Sequence, residues 1–394
     1  MVETTTYLSP NGDNETWGDG PATRLVVATI EGVMTYARDA QGAPWRLADR
    51  ALTDYHLGAL VYEPVSGRLF AGAHRSGGIW VSEDGEGASW RKLTNGLERP
   101  HVYGVARRQI GDRVSLFVGT EPAALYRSED FGETWSELDS LRHVPDADKW
   151  TFPAPPYMAH VKSIICHPVK AETIYALVEQ GALLCSDDDG RTWTELTSYS
   201  SLDDSAYRDV HRLVIDPRHP ENFYLATGEG FYASTDGGES WDHLMTTNGR
   251  IGYPDFVFLD PRDGKTLYLA GARHDPGHWF QNSNADSTIA RSTDGGRTWM
   301  ELTNGLPSPF EAAIEALCLH HWPGGMMFAV GSSVGEVYIS EDDGTSWSRI
   351  AERIPPVSKN DHHFPWFPKQ VVDEEMATRI AVAERMGITS PGAS

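Results

Sequence analysis

Seven tryptophans recur along this chain at near-regular intervals, and each closes a copy of one short motif. Five copies fit the pattern Ser-x-Asp-x-Gly-x-(Ser or Thr)-Trp and end at Trp135, Trp193, Trp241, Trp299 and Trp347. A sixth copy, Ser82 to Trp90, carries one extra residue, and a degenerate seventh ends at Trp45. Successive tryptophans lie 45, 45, 58, 48, 58 and 48 residues apart. A repeat of this period predicts propeller blades or a solenoid.

The motif has the chemistry of a tight turn. Asp and Ser side chains bond backbone N–H groups, glycine supplies a positive φ, and tryptophan packs between neighbouring sheets. The motif resembles the Asp box, or BNR repeat, of sialidase-like propellers and sortilin-type receptors, and the resemblance covers residues 24 to 350. It implies a fold rather than an activity, because families that share the box do unrelated things. It also implies that the boxes lie on the face away from the active site.

Each repeat contains four runs rich in β-branched and aromatic residues, which predicts four strands per blade. The predicted fold class is therefore all-β, a seven-bladed β-propeller with four-stranded blades. The first blade lacks an innermost strand before Leu25, and the segment from Pro355 to Phe367 is the expected donor. Closure by this C-terminal strand would remove open sheet edges. We predict an N-terminal extension over residues 1–23, the propeller over 24–369, and a helical C-terminal tail over 370–394.

Composition narrows the range of partners and compartments. A formal net charge of −23 opposes binding to nucleic acid and to anionic membranes. The N-terminal residues lack the apolar core of a secretory signal or a membrane span. Three cysteines, Cys166, Cys185 and Cys318, are too few for a disulfide framework. We therefore expect a cytoplasmic protein with a small-molecule substrate, in which the tail helix lies on the surface or forms an oligomer contact.

Histidine recurs at the predicted start of the innermost strand in four consecutive blades. His56, His101, His160 and His211 lie 34, 34, 33 and 30 residues before the motif tryptophan. Blade 7 places Glu315 at this position, and blade 6 offers Asp255. Because innermost strands meet at the propeller axis, the four imidazoles predict a site for one first-row transition metal: Fe, Mn, Zn or Cu.

A second set of polar residues falls where the next strand of each blade ends, on the same face: Glu31, His74, Glu121, Glu179, Glu229 and His274. Metal-bound histidine usually donates its other N–H to a carboxylate or carbonyl, so these residues are expected to support the ligands. The arrangement looks like the axial iron site of carotenoid-cleaving oxygenases, whose overall sequence this chain does not resemble. Repeat duplication leaves a structural polar ring or a metal-free pocket as alternatives.

Long aromatic insertions are expected to rise on the same face and to wall a substrate pocket. The residues singled out are Tyr55, Trp150, Phe152, Tyr157, Trp279 and Phe280. Such walls suit an apolar or aromatic small molecule, a sugar ring, or another subunit. His362 and His363 belong to the expected closing strand and could approach the axis.

The sequence thus predicts a metal-dependent oxygenase or hydrolase that acts on a small, aromatic or oxygen-chelating molecule, with Glu315 or Asp255 as general base. One alternative is a sialidase-like glycoside hydrolase, which would need an arginine triad. Arginines are present, but they occupy unrelated blade positions: Arg75, Arg212, Arg250 and Arg273. The other alternative is a non-enzymatic scaffold. Metal identity, substrate and oligomeric state stay open.

Overall fold

The computed structural model describes residues 4–199 and 208–388, which form seven β-sheets. Each sheet contains four consecutively hydrogen-bonded strands, and one sheet carries a fifth strand. The seven sheets are the blades of a propeller ring, so the predicted all-β, seven-bladed fold is confirmed.

Blade 1 and the strand added to blade 7 come first in the chain, as β1 (Thr5–Leu8), β2 (Glu15–Trp17), β3 (Arg24–Thr29), β4 (Gly32–Ala37) and β5 (Arg46–Ala51). Blades 2 to 4 comprise β6 (Leu57–Glu63), β7 (Arg68–Ala73), β8 (Gly78–Ser82), β9 (Arg91–Leu93), β10 (Val102–Ile110), β11 (Arg113–Thr120), β12 (Ala124–Ser128), β13 (Ser136–Glu137), β14 (His160–Cys166), β15 (Ile174–Glu179), β16 (Ala182–Ser186) and β17 (Thr194–Glu195). Blades 5 to 7 comprise β18 (Val210–Ile215), β19 (Phe223–Thr227), β20 (Gly230–Ser234), β21 (Asp242–Thr246), β22 (Tyr253–Leu259), β23 (Leu267–Ala272), β24 (Thr288–Ser292), β25 (Met300–Glu301), β26 (Ile314–Trp322), β27 (Gly325–Ser332), β28 (Val337–Ser340) and β29 (Ser348–Ala351). The described residues contain two α-helices, α1 (Pro276–Asn282) and α2 (Lys369–Met386).

Burial falls from the inside of each blade to its outer edge. Every residue of β15 is buried, whereas five of the six residues of β5 are exposed. The inner strands carry near-continuous apolar runs because both of their faces pack against neighbouring blades. The outer strands face water on one side and tolerate polar residues.

The tryptophan motif forms the turn that its residues predict. Ser128 Oγ accepts a hydrogen bond from the Gly132 N–H at 2.8 Å, and it donates to Asp130 at 2.7 Å. Gly132 has φ +86°, and a Cβ there would lie 2.7 Å from a methyl group of Leu93 in the preceding blade. Trp135 is buried in a cluster that contains residues of blades 2 and 3. The motif therefore joins a local turn to packing between blades.

The N-terminal segment closes the ring, so the prediction that a C-terminal strand closes it is wrong. Strand β1 pairs in parallel with β3 and supplies the innermost strand of blade 1. Strand β2 pairs in parallel with β26 at the edge of blade 7. Part of the predicted N-terminal extension thus belongs to two blades. Strands this short leave little signal in the sequence, because they contain too few residues to show the alternation of apolar and polar side chains that predicts a strand.

The segment after β29 instead crosses the end of the propeller where the innermost strands begin. His56 at the start of blade 2 contacts the carbonyl of Ser358 at 2.8 Å. Helix α2 then lies over this end, because Arg379 pairs with Asp361 at 3.3 Å and Glu375 pairs with Arg75 at 3.0 Å. A helix is thus present in the predicted tail, and residues 389–394 fall outside the described residues. Neither helix of the described ranges has the length and apolar character needed to span a bilayer.

We expect Leu8→Ala to destabilise the protein by about 2–5 kcal/mol, because a large buried side chain would leave a cavity. Leu8 is fully buried in the cluster that joins blades 1 and 7. Leu47→Ala, in the exposed outer strand of the same blade, is the matched control. Chemical denaturation would measure the free energy of unfolding of both variants. Equal stability of the two would show that the N-terminal strand does not close the ring.

Candidate functional site

The repeated polar residues do lie together at one end of the propeller. His160 is the first residue of β14, His211 the second of β18 and Glu315 the second of β26, while His56 and His101 directly precede β6 and β10. All five are buried except for His101, whose side chain is 15% exposed. The blade repeat therefore places a ring of ionisable groups around the axis, beneath helix α2 and the segment before it.

The four histidines predicted as metal ligands do not share one coordination sphere. Over the described ranges, one group of three ligand-type residues has its ligand atoms within 4.8 Å of one another, and it consists of Glu179, Asp209 and His211. His56 is turned toward the Ser358 carbonyl, and His160 is bonded to Glu179. Because Glu179 also accepts a hydrogen bond from Lys162, protein cations already balance its charge. A metal cofactor stays a prediction.

One half of the ring holds neutral imidazoles. The rings of His56 and His74 lie 4.6 Å apart, and His74 Nδ1 lies 3.0 Å from His101 Nε2. The Ser358 carbonyl can only accept, so His56 donates from Nε2. Burial lowers the pKa of His56 to about 3, and it also lowers the pKa values of His74, His101 and His363. These four groups are uncharged near neutral pH.

The other half holds charged groups in pairs. Glu179 accepts hydrogen bonds from His160 and from Lys162, each at 2.5 Å. Burial opposes ionisation of Glu179, but Lys162 and His160 outweigh it and hold the pKa of this carboxyl well below its usual range. Asp255 accepts a hydrogen bond from Lys359 and lies 3.6 Å from Lys162. Buried charges in this half are thus compensated within the protein.

The residues predicted as general bases are both engaged in such pairs. Glu315 contacts His362 Nδ1 at 3.1 Å and accepts a hydrogen bond from the Lys359 N–H at 2.9 Å. Burial lowers the pKa of His362, but Glu315 outweighs it and raises the pKa overall. Glu315 and Asp255 are at most 3% exposed and do not line the pocket described next. Their role as general bases stays a prediction, and in the structure both carboxylates are occupied by protein partners.

A pocket of about 320 Å³ opens beside this charged half, between the loop before β14, helix α1 and the segment after β29. Its lining includes carboxylates, aromatic rings and one imidazole: Glu179, Asp209, Asp275, Asp361, Phe152, Tyr253, Phe280 and His362. Asp209 accepts a hydrogen bond from the Tyr253 hydroxyl at 3.1 Å. Asp275 caps helix α1 by accepting from the His278 N–H. Two of these carboxylates, Glu179 and Asp209, have ligand atoms within 4.8 Å of each other.

Two of the six predicted wall residues line this pocket, Phe152 and Phe280. Trp279 is fully buried, and its indole N–H donates to the His274 carbonyl at 2.6 Å. Trp150 and Tyr157 line a neighbouring hollow, and Tyr55 packs against Trp80. Helical geometry separates Trp279 from Phe280, because adjacent residues of a helix point in different directions.

Only some members of the second predicted set of polar residues are buried at the axis. His74, Glu121 and Glu179 are buried at the axis, whereas Glu31 and His274 are exposed and Glu229 is half-buried. Sequence reasoning missed Lys162, Asp209, Tyr253, Lys359 and Asp361. A lysine two residues after His160 in an apolar strand was the available signal, since an unpaired lysine is almost never buried.

Sequence comparison relates the chain to xyloglucanases. It is 28% identical over 163 residues to xyloglucanase Xgh74A of Acetivibrio thermocellus, a match that covers 37% of this chain and 18% of that enzyme. It is 24% identical over 201 residues to the oligoxyloglucan-reducing end-specific xyloglucanase of Emericella nidulans, covering 48% of this chain and 24% of that enzyme. The matched segment thus spans less than a quarter of these relatives. No protein-family model matches the chain.

Solved structures show the same fold. An ancestral GH74 enzyme superposes with a TM-score of 0.54 at 19% identity, over 75% of this chain and 38% of that one. YCF48 from Cyanidioschyzon merolae superposes with a TM-score of 0.53 at 14% identity, over 86% of this chain and 95% of that one. At these identities the likeness concerns the propeller fold.

These comparisons correct several predictions. The relatives are xyloglucanases, so the predicted metal-dependent oxygenase of a small molecule is wrong, and so is the metal-binding oxidoreductase description. The hydrolase part of the prediction fits these relatives. The seven-bladed propeller is confirmed, whereas the sialidase-like Asp-box family and the four-histidine metal propeller find no support in these relatives. The predicted cytoplasmic location is contradicted as well, because the relatives are xyloglucanases.

We expect His56 to lower the free energy of unfolding of the protein as the pH falls from 7 to 5. Its folded-state pKa of about 3 lies below the ordinary value, so the unfolded chain binds more protons over this range. At pH 5 the expected loss of unfolding free energy is about 2 kcal/mol. His160 and His362, whose pKa values are raised, act in the opposite direction.

The variant His56→Gln should remove this loss, because the glutamine amide can still donate to the Ser358 carbonyl but does not titrate. Denaturant unfolding of both proteins at pH 7 and pH 5 would measure the difference. His219→Gln, at an exposed site, is the control. An unchanged pH dependence in His56→Gln would contradict the neutral, buried assignment.

Proposed function

We propose that the chain is a glycoside hydrolase that acts on a neutral glycan bound in the pocket between helix α1 and the loop before β14. The pocket combines two neighbouring buried carboxylates with aromatic walls, which is the combination that glycoside hydrolysis needs. Similarity to xyloglucanases over 37–48% of the chain supports this reaction class and suggests xyloglucan as the first substrate to test.

The two carboxylates have different surroundings, and this difference suggests their roles. Glu179 is held ionised by Lys162 and His160, so it suits the part of nucleophile or general base. Asp209 accepts a hydrogen bond from the Tyr253 hydroxyl on one oxygen and faces His211 Nε2 at 3.2 Å with the other, and we assign it proton donation to the leaving glycosidic oxygen. The nearest ligand atoms of the two residues lie within 4.8 Å, so both can reach one scissile bond.

The charges around the pocket favour a neutral glycan over an acidic sugar. Four carboxylates line the pocket, and no arginine is among its lining residues in the described part of the chain. The four arginines considered for a sialidase-like triad are engaged elsewhere: Arg75 with Glu375, Arg212 with the Pro10 carbonyl, Arg250 with Asp286 and Glu301, and Arg273 with Asp286. A carboxylated sugar would therefore meet four carboxylates without an arginine to bind its charge.

We expect Glu179→Gln and Asp209→Asn each to lower kcat on xyloglucan oligosaccharides by at least about 100-fold, because each removes one partner of the acid–base pair. Reducing-end release would be measured at saturating substrate. Glu31→Gln provides a control, since Glu31 follows the equivalent strand of blade 1 but is exposed. Near-normal turnover in both pocket variants would exclude this pair of residues.

Phe280 offers a separate test of the pocket. Its ring lies at the rim on α1 and is 42% exposed, so it is free to stack against a sugar ring. We expect Phe280→Ala to raise KM about 3-fold to 10-fold with little change in kcat, from the energy of one aromatic contact. Met300→Ala, at a similarly exposed apolar site of an outer strand, should leave KM unchanged. A lowered kcat with unchanged KM would instead place Phe280 outside the binding surface.

A further inference from the structure

A line of buried ionisable groups runs from the back of Glu179 to the neighbouring blade. His160 Nε2 lies 2.5 Å from Glu179 Oε2, and His160 Nδ1 lies 3.3 Å from Glu121 Oε2. His101 Nδ1 lies 3.3 Å from the other oxygen of Glu121. The side chains of His160, Glu121 and Glu179 are at most 4% exposed. One imidazole thus joins two carboxylates away from bulk water.

The contact between His160 and Glu121 accounts for two otherwise unpartnered atoms. His160 Nδ1 and Glu121 Oε2 are buried, and neither has an aligned hydrogen-bond partner among the described residues. They face each other at ion-pair distance, so a proton on Nδ1 satisfies both atoms at once. With Nε2 donating to Glu179, both nitrogens carry protons, and His160 is an imidazolium between two carboxylates.

The other groups around His160 agree with a cation at this position. The Tyr103 ring stacks on the imidazole with centroids 3.5 Å apart and an interplanar angle of 16°. Phe152 lies on another side at 4.9 Å. Stacking of a cation on an aromatic face is favourable in a desolvated site. Burial lowers the pKa of His160, but the hydrogen bonds and charges of Glu121 and Glu179 outweigh it and raise the pKa.

We infer that Glu121 and His160 are positioning residues for the proposed hydrolase: they fix the orientation and the ionised form of Glu179 from behind the pocket. His160 fills one Glu179 oxygen, and Lys162 fills the other. These two hydrogen bonds together hold the Glu179 side chain in one rotamer. Glu121 supplies the countercharge that keeps His160 doubly protonated. The inference rests on the proposed function for its catalytic consequence, but its structural content can be measured without substrate.

The rear of this line borders a second cavity. Glu121 and His101 line a cavity of about 460 Å³ beneath helix α2, together with Arg75, Met158, Arg379 and Met386. Glu121 thus faces one cavity, and Glu179 faces the pocket. Other ionisable groups around this line include Lys162, His211 and Asp255 on the Glu179 side, and His74 and Arg379 on the Glu121 side.

The decisive variant is Glu121→Gln, which keeps the shape of the side chain and removes its charge. Without that charge His160 binds its second proton less tightly, so Glu179 faces a neutral imidazole in place of an imidazolium and takes up a proton at higher pH. In substrate assays we expect the acidic limb of kcat/KM to move to higher pH by about one unit, a tenfold change in proton affinity. KM is expected to stay within about twofold. Glu121→Asp, which keeps the charge, should restore most of the wild-type profile, and Glu31→Gln should match the wild type.

A second readout uses the protein alone. The ¹⁵N side-chain shifts of His160, assigned by comparison with His160→Gln, should report an imidazolium at pH 7 in the unaltered protein and in Glu121→Asp, and a neutral ring in Glu121→Gln. A neutral His160 in the unaltered protein overturns the inference, whatever the activity. If no glycan is cleaved, the proposed function fails, but the spectrum still shows whether Glu121 keeps His160 doubly protonated. If Glu121→Gln does not fold, the unaltered protein and Glu121→Asp supply the same decision.

Discussion

Packing of one blade against the next is the constraint on which this molecule depends. A four-stranded sheet buries its inner strands only when neighbouring blades cover both of its faces. The tryptophan turn meets this need in each repeat, because Ser128 and Gly132 shape the loop and Trp135 enters the cluster shared with the preceding blade. The seam between the last and first blades has the same requirement. Strand β1 satisfies it, with Leu8 packed among residues of blades 1 and 7.

Ring closure brings the starts of seven innermost strands to one axis, and this concentrates charge in a buried space. Such charges persist only when they are paired or neutralised. The protein uses both solutions: imidazoles near His56 lose their charge, whereas Glu179 and Asp255 are paired with Lys162 and Lys359. The pocket opens on the paired half. Reactive carboxylates and their support therefore come from one electrostatic arrangement, and the segment after β29 completes it.

The sequence predicted the blade count, the four-stranded blades and the face on which ionisable groups gather, because each of these follows from a repeated local pattern. It placed His160 and Glu179 at the axis for this reason. It did not predict Lys359 or Asp361, which come from a segment outside the repeats. It also misjudged how the histidines pair, since equal positions in successive blades do not give equal distances. His160 bonds Glu179 of its own blade, while His56 bonds the backbone of the crossing segment.

Sequence alone therefore determined the repeated four-stranded blades, because the periodic turns and apolar strands need neighbouring repeats to bury their faces. Tertiary structure decided which end of the chain closes the ring, because β1 is too short to be predicted as a strand from its residue pattern. This strand gains its stability from the seam between blades 1 and 7. Tertiary structure also decided the chemistry of the axis. Whether an imidazole is neutral, cationic or free to bind a metal depends on the carboxylate or carbonyl that faces it across a few ångströms, and those partners come from other blades and from the crossing segment.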